Sequence, residues 1–504
     1  MLGYDLIPHK VFSLNGCEAV VYGILDARAN LATGVIGFPV TQLIRGLKLI
    51  WRDAANEKIA VEIALGASAS GIRSTFVTKH VGLNVGSDPL ITAATHTTGA
   101  GLVAIVGDDP GAKFSQNEQD SRYYGKIAEI PVIDPCTPCK AYDSIIEAFE
   151  LSDILKVPVI VRVTDRLLKM EQEFERVTPK VPEIKKIKQD VWGLTFLGRH
   201  QHLMKYTYPK MQEFAERTNL NEKKGNGIIG IVSSGYASTI VENVIGGRKD
   251  VTHFKLGIVN PICDRQINSF LKKTDRVLVV EEGGPFIEEA IGRKLLGKLS
   301  GHLPKFGEIT HDDVKKALEY VEADYLNFVF NVETTKSRGY LATICDDCPF
   351  VPFYKVLVEI NVMIAGDIGC VIRSSNPPFN LIDAAYSLGS AIGVAAGFKD
   401  GGIAILGDYA FFHSGIEALV SAILYNYNVK VFVLENRVSA ITGGQPVHEM
   451  SDLIGAICRN YGIYYKILDA VCTEQEKLKD IVQAVVDSRG VAVIVLKGSC
   501  PKYS

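Results

Sequence analysis

The sequence has few of the features that mark specialised classes of protein. Its 54 basic and 57 acidic side chains nearly cancel, and a net charge of −3 provides no general field for holding a polyanion, so nucleic acid is not an expected partner. The N-terminal residues lack a basic start followed by an apolar segment, and the longest uncharged apolar stretch, residues 384–398, is too short to cross a bilayer. We therefore expect a cytoplasmic protein that does not associate with a membrane.

Cysteine is also sparse, with 10 in 504 residues, which excludes a disulfide-stabilised scaffold. Two CxxC pairs, Cys136/Cys139 and Cys345/Cys348, have the spacing of metal ligands or redox dithiols, although ordinary buried or loop thiols are the simpler interpretation. The other cysteines are scattered, and the sequence has no closely spaced run of the ferredoxin type. We therefore expect no iron–sulfur cluster.

The amino-acid composition is typical of a large globular protein. Hydrophobic residues make up 47% and charged residues 22%, and the length predicts about three domains. Helical and strand patterns alternate through most of the chain, which predicts an α/β protein built from three open parallel sheets with ligand loops at the carboxyl ends of the strands. Polar, lysine-rich stretches interrupt the alternation, and we predict domains at 1–180, 181–325 and 326–504.

Two neighbouring strand ends carry the strongest chemical signal. One predicted strand ends in Gly407-Asp408 and the next ends in Glu435-Asn436, after one intervening helix. Mg²⁺ prefers hard oxygen ligands, and a carboxylate, an amide oxygen and a backbone carbonyl leave positions for diphosphate oxygens. We therefore predict a magnesium site formed by Asp408, Asn436 and the carbonyl of Val438.

Longer stretches carry a specific resemblance. The chain resembles the alpha subunit of indolepyruvate ferredoxin oxidoreductase, a member of the pyruvate ferredoxin oxidoreductase superfamily. The matching segments include NEKIAVEIALGASASG, KHVGLNVGSDPL, KLGIVNP, VLVVEEGGPFIEE, GDIGC, GDYAFFHSGIEAL and ENRVSAITGGQP. The GDY and EN residues correspond to the GDG and NN of the thiamine diphosphate motif, with Tyr409 and Glu435 at the variant positions.

The resemblance implies a fold and a cofactor. The expected order is a pyrimidine-binding domain, a transketolase C-terminal-like domain and a diphosphate-binding domain, with thiamine diphosphate and Mg²⁺ held where the first and last domains meet. It also implies that Glu57 is the acid that activates the aminopyrimidine ring. Asn56 precedes Glu57 as a predicted helix N-cap, which would hold the glutamate on a fixed element.

Further site residues follow from the resemblance. His80 is expected to hydrogen-bond the substrate, Arg122 to pair with a substrate carboxylate, and His413 to be a weaker catalytic candidate. The expected cofactor-facing residues are Thr41, Asn84, Gly366, Asp367, Gly369, Cys370, Gly407, Tyr409 and Ala410.

The sequence also departs from the family pattern. The family's alpha subunit continues into a ferredoxin-like tail, whereas this sequence stops at GSCPKYS, so we expect a chain that lacks that domain. The segment Cys345–Phe350, CDDCPF, resembles the family's CPGCPH loop without its Gly or its His, and Lys169 stands where the family usually has a His.

Three functions remain open. The first is non-oxidative: a 2-oxo acid, aryl in type such as indolepyruvate or phenylpyruvate, is decarboxylated, and the enamine is released as an aldehyde or joined to an acceptor carbonyl. The second is an oxidoreductase subunit, with coenzyme A as acyl acceptor, whose electrons leave through a small second subunit or a separate iron–sulfur carrier. The third is a non-catalytic scaffold. The expected loss of the clusters favours the first, and the resemblance implies a homodimer.

Overall fold

The computed structural model describes residues 11–176, 189–292, 295–322 and 342–503. The chain divides into two compact units, Met1–Glu333 and Thr334–Ser504. The predicted domain boundaries after residues 180 and 325 lie outside the described residues, so the division into three domains stays a prediction. Within the described part of the chain, no helix is both long and apolar enough to span a membrane.

The first unit alternates strands and helices, as the sequence pattern predicts. Its strands are β1 Val11–Asn15, β2 Leu31–Gly34, β3 Trp51–Asp53, β4 Ser74–Lys79, β5 Leu102–Asp108, β6 Val132–Ile133, β7 Val159–Thr164, β8 Glu171–Glu175, β9 Glu222–Lys224, β10 Ile229–Ser234, β11 Val251–Leu256, β12 Ile258–Asn260 and β13 Arg276–Val280. Its helices are α1 Gly16–Asp26, α2 Thr41–Gly46, α3 Glu57–Ala69, α4 His80–His96, α5 Tyr123–Ala128, α6 Pro138–Leu155, α7 Asp165–Lys169, α8 Gln189–Trp192, α9 Phe196–His202, α10 Tyr208–Arg217, α11 Gly235–Ile245, α12 Asp264–Leu271, α13 Phe286–Ile291 and α14 His311–Glu322.

Seven of these strands form the larger sheet, in the order β12-β6-β7-β5-β4-β2-β3. All neighbours are parallel except β12 and β6. Every residue of β5 and β7 is buried, because helices cover both faces of a parallel sheet and its central strands must then be apolar throughout. The carboxyl ends of β4 and β5 lie side by side, which brings the loops that follow them together.

A second sheet, β13-β10-β11-β9, occupies the rest of the unit. It is joined to the first because β12, which directly follows β11, leaves this sheet and pairs antiparallel with β6. One hydrophobic core contains residues from both sheets, among them Val161 of β7 and Phe254 of β11. The two sheets of the first unit therefore form one packed body.

The second unit holds a five-stranded parallel sheet in the order β14-β15-β16-β20-β19. Its strands are β14 Ile364–Gly366, β15 Gly402–Gly407, β16 Val429–Glu435, β17 Val438–Ser439, β18 Gln445–Pro446, β19 Tyr464–Asp469 and β20 Ala492–Lys497, of which β17 and β18 form a separate hairpin. Its helices are α15 Val351–Val358, α16 Ala391–Ala396, α17 Asp408–Ala410, α18 Ile416–Leu424, α19 Ser451–Asn460 and α20 Gln475–Asp487. The α/β class with open parallel sheets is confirmed.

Candidate functional site

The predicted metal ligands of the second unit lie together. Asp408 follows β15 and Asn436 follows β16, and these strands are parallel neighbours. The Asp408 carboxylate accepts the backbone N–H of Asn436 at 3.0 Å and of Arg437 at 2.5 Å, and the Asn436 side-chain oxygen accepts the N–H of Val438 at 3.1 Å. The three residues thus lie next to one another at the carboxyl edge of the sheet.

The electrostatics at Asp408 suit a cation. The side chain is buried, and burial raises its pKa to about 6 although three backbone N–H groups lower it. Within the described residues no basic side chain forms an ion pair with it. A buried carboxylate without a protein counter-ion gains most from a bound metal ion, so the donor set fits Mg²⁺.

The loops around this position leave room for a ligand. A Cβ added at Gly369 or Gly407 would meet no atom within 4 Å, and Gly369 has a φ of +140° that side-chain-bearing residues rarely adopt. Gly366 differs, because a Cβ there would come within 2.8 Å of the Ile382 side chain. The expected cofactor-facing role of Gly369 and Gly407 is compatible with this space, whereas Gly366 is constrained by packing.

Asp367 and His413 are buried and form hydrogen bonds within the second unit. Burial raises the pKa of Asp367 to about 6, and its carboxylate accepts the N–H groups of Gly389 at 2.8 Å and Ala391 at 3.2 Å, which fixes the start of α16. His413 is buried in a π-helical turn, Phe411–Gly415, that connects α17 to α18, and its Nδ1 lies 2.6 Å from the hydroxyl of Ser414. Tyr409 and Ala410 form α17 next to this turn, and the Tyr409 ring lies 6.3 Å from that of His413.

Four cysteines of the second unit form a group that sequence reasoning missed. Burial and, to a smaller extent, the nearby thiols of Cys370, Cys345 and Cys500 raise the pKa of Cys348 to about 11. Cys500 and Cys345 act on Cys370 in the same way. These four cysteines are therefore near one another although they are separated in sequence. A CxxC pair combined with cysteines that follow β14 and β20 of one sheet was the available signal.

This group, the Cys345/348/370/500 cluster, is not arranged around a single ion. Among the described residues, no three His, Cys, Asp or Glu side chains are placed to hold one metal ion. Thiolates around a single zinc ion all lie about 2.3 Å from it, whereas a four-iron cluster is bound by four cysteines at its separate iron atoms. Four cysteines are the donor set of the second kind of group.

Glu57 occupies a sheltered position in the first unit. It is the first residue of α3, whose N-cap is Asn56: the Asn56 side chain accepts the N–H of Ile59 at 3.0 Å, as predicted. Glu57 is only 5% exposed, and its carboxylate lies against Gly82 of α4 and the Thr78 hydroxyl, where any side chain at position 82 would overlap it. A glutamate so placed is not an ordinary solvated residue of a first helical turn.

The other predicted residues of this unit follow β2, β4 and β5. His80 is buried, with Nε2 3.1 Å from the carbonyl of Asn117, and no hydrogen bond reaches its Nδ1 from the described residues. Asn84 is exposed and donates to Gln119 at 3.0 Å. Thr41 begins α2, just after the Gly37-Phe38-Pro39 turn. The contact of each with a ligand stays a prediction.

Arg122 has a different environment from the one expected. It is wholly buried and donates to Asp120 at 2.6 Å, to Glu281 at 2.8 Å and to the Glu282 carbonyl at 2.7 Å. These bonds join the loop after β5 to the four-stranded sheet. Because its guanidinium is already paired inside the protein, this placement argues against contact with a substrate carboxylate.

The comparisons with known proteins agree with these observations. Residues 367–496 match the family described as thiamine pyrophosphate enzyme, C-terminal TPP binding domain, which spans the Asp408 and Asn436 loops. The indolepyruvate oxidoreductase subunit IorA of Methanothermobacter thermautotrophicus is 30% identical over 97% of this chain and 87% of its own length. The IorA subunit of Archaeoglobus fulgidus is 29% identical over 98% of this chain and 87% of its own length.

A solved structure supports the fold. The 2-oxoglutarate:ferredoxin oxidoreductase from Magnetococcus marinus, with 2-oxoglutarate, coenzyme A and succinyl-CoA bound, superimposes with a TM-score of 0.51 at 15% identity. The match covers 62% of this chain and 65% of that one, a little under two thirds of its length. At this identity the likeness supports the fold alone.

Proposed function

Because the chain belongs to the indolepyruvate oxidoreductase subunit IorA family, we propose that it is the catalytic subunit of an oxidoreductase acting on an aryl 2-oxo acid. The family predicted from the sequence motifs is confirmed, and the chain is a thiamine diphosphate-dependent enzyme or oxidoreductase subunit. The relatives' name supports indolepyruvate or a similar aryl compound as the substrate.

The diphosphate end of the cofactor would be held by residues of the second unit. Asp408, Asn436 and the Val438 carbonyl would bind Mg²⁺ and, through it, the diphosphate. Bound thiamine diphosphate supplies the nucleophilic carbon and the electron sink that decarboxylation of a 2-oxo acid requires. Glu57, sheltered beside Gly82, would hydrogen-bond the aminopyrimidine and hold or release a proton at its carboxylate.

We favour the oxidative reaction over the non-oxidative one, although the sequence analysis favoured the latter. The observation that carries this choice is the similarity to the IorA subunits over nearly the whole chain. The Cys345/348/370/500 cluster, whose Cys370 ends the GDIGC loop of the proposed cofactor site, supports it. Four thiolates are the ligand set of a [4Fe–4S] cluster, which would accept electrons one at a time. These relatives are named as oxidoreductase subunits, which agrees with an oxidative reaction.

The oxidative reaction implies partners. A small second subunit or a separate iron–sulfur carrier would take the electrons onward, and coenzyme A would take the acyl group. We also propose a homodimer, on the strength of the family resemblance. A strictly monomeric mass at micromolar concentration, for protein that is active with its cofactor bound, would contradict this assembly.

The choice between the two reactions is tested by product analysis. The protein, prepared without oxygen, is incubated with a panel of 2-oxo acids, thiamine diphosphate, Mg²⁺ and coenzyme A, with and without an artificial electron acceptor such as methyl viologen. The oxidative proposal predicts acyl-coenzyme A and reduced viologen, with an aryl 2-oxo acid as the best substrate. Aldehyde or a coupled product formed equally well without the acceptor would favour the non-oxidative reaction.

The cysteine cluster is tested separately. Protein purified under anaerobic conditions should contain about four iron and four sulfide per chain, with broad visible absorption. Cys370→Ser should lose this absorption, while Cys472→Ser, which changes an exposed cysteine outside the cluster, should retain it. Iron-free parent protein that still reduces viologen would overturn this assignment.

A further inference from the structure

Lys79 has an unusual environment near Glu57. It is the last residue of β4 and lies directly before α4, so its side chain starts at the carboxyl edge of the seven-stranded sheet. Its aliphatic stem crosses Gly37 so closely that a Cβ at position 37 would lie 2.7 Å from Lys79 Cδ. The glycine therefore lets the lysine lie flat against the Gly37-Phe38-Pro39 turn.

The Lys79 ammonium is half-buried and weakly paired. Its described hydrogen bond goes to the Gln116 side-chain oxygen at 3.5 Å, and no carboxylate of the described residues forms an ion pair with it. Burial lowers the pKa of Lys79, while the more distant charges of Asp109 and Glu57 raise it. A cation that has lost solvent without gaining a close counter-ion is suited to bind an anion.

Two aromatic rings lie beside this lysine. Phe38, the residue after Gly37, packs against Phe114 with ring centroids 4.6 Å apart, and Phe114 is 70% exposed. Asp109 holds the loop that carries Phe114, because its carboxylate accepts the N–H of Phe114 at 2.9 Å. Gln116, the partner of the lysine, lies two residues farther along the same loop. The turn and the loop thus place an accessible aromatic surface next to a cation.

We propose that Lys79 binds the carboxylate of the 2-oxo acid and that Phe38 and Phe114 contact its aryl group. The inference rests on the proposed function and extends it. It assigns to Lys79 the binding of the substrate carboxylate, a role that was predicted for Arg122 before its internal ion pairs were known. The ring and carboxylate of an aryl 2-oxo acid are separated by only a few carbon atoms, so such a ligand would extend from the Phe38 and Phe114 rings to the ammonium that is bonded to Gln116 of the same loop. Glu57, whose charge acts on Lys79, would be near the reacting end of the substrate.

The test uses a ligand that binds without reacting. 3-Phenyllactate carries the ring and carboxylate of phenylpyruvate but no 2-oxo group. Its affinity is measured by calorimetry for the parent protein loaded with thiamine diphosphate and Mg²⁺, for Lys79→Met, for Lys79→Arg and for Lys48→Met, a control at an exposed lysine. Affinity for thiamine diphosphate and the melting temperature are measured for each variant.

Lys79→Met should weaken 3-phenyllactate binding by about 10- to 100-fold, the loss expected for a hydrogen bond to a charged group. Lys79→Arg should recover part of the affinity, and Lys48→Met should bind as the parent does. Affinity for 3-phenyl-1,2-propanediol, which lacks the carboxylate, should not change in Lys79→Met. Phe114→Leu should reduce the preference for phenylpyruvate over pyruvate in KM and leave cofactor binding unchanged.

Each opposite result has a distinct meaning. Parent-like affinity of Lys79→Met for 3-phenyllactate would overturn the carboxylate assignment, and so would a variant that loses thiamine diphosphate instead, because Lys79 would then support the cofactor. An unchanged preference in Phe114→Leu would overturn the aryl assignment. A parent protein that binds the cofactor but neither binds 3-phenyllactate nor consumes any 2-oxo acid would refute the proposed function, and this inference with it.

Discussion

Gly82 offers a precise test of the position of Glu57. A Cβ built at Gly82 would lie 2.2 Å from both the Glu57 carboxylate and the Thr78 hydroxyl, so Gly82→Ala must displace both. Overpacking of this kind costs about 1–3 kcal/mol, whereas replacing a helical glycine by alanine contributes about 0.5–1 kcal/mol of stability. We expect Gly82→Ala to range from nearly neutral to about 2.5 kcal/mol less stable than the parent.

Gly66 provides the matched control. It lies in α3, on the same helix as Glu57, but a Cβ there would meet nothing within 4 Å. Gly66→Ala should therefore show only the gain in helix stability. The difference between the two alanine variants isolates the steric effect at Gly82, about 1–3 kcal/mol, from the change in helix propensity that they share.

The functional readout is the exchange of the thiazolium C2 proton of bound thiamine diphosphate, followed by NMR after acid quench. General acid–base assistance contributes about 10²- to 10⁴-fold to a rate, so Gly82→Ala should approach the slow exchange of Glu57→Gln, while Gly66→Ala exchanges as the parent does. The reasoning is refuted by parent-like exchange in Gly82→Ala. Fast exchange in Glu57→Gln would remove Glu57 from the mechanism altogether.

Three further perturbations probe other parts of the molecule. Asp408→Ala should abolish joint binding of thiamine diphosphate and Mg²⁺, and equal affinity by calorimetry would disprove the metal assignment. Arg122→Met leaves Asp120 and Glu281 buried without their cation and should destabilise the protein by about 3–5 kcal/mol in urea unfolding. If this variant were as stable as the parent but no longer bound 3-phenyllactate, the predicted substrate role of Arg122 would be restored. Burial lowers the pKa of His253 from 6.5 to about 4. Between these two pH values the unfolded chain binds a proton that the folded protein does not. The free energy of unfolding therefore falls by up to about 3 kcal/mol as the pH is lowered. His253→Gln should show a smaller drop in urea midpoint between pH 7 and pH 5, and an unchanged drop would assign the acid sensitivity to other groups.

Local patterns account for the parts of this protein that could be predicted. All residues of β5 are buried, which gives an apolar run in the sequence, and the buried residues of α3 recur every three or four positions. Both patterns are local and are therefore visible in the sequence. Asp408 and Asn436 were also predictable as neighbours, because consecutive parallel strands end at the same edge of a sheet.

Tertiary structure decided the environments that depend on distant residues. From the sequence, Arg122 was expected to pair with a substrate carboxylate, yet its guanidinium donates to Glu281, which lies far along the chain. Cys500, which follows β20, lies near Cys348 and Cys370 although it is far from them in sequence. The order of strands in a sheet is set by packing of the whole unit rather than by local periodicity. The sequence by itself therefore determined the α/β elements and the family. The partners of the buried charges and thiols could be identified only from the tertiary structure.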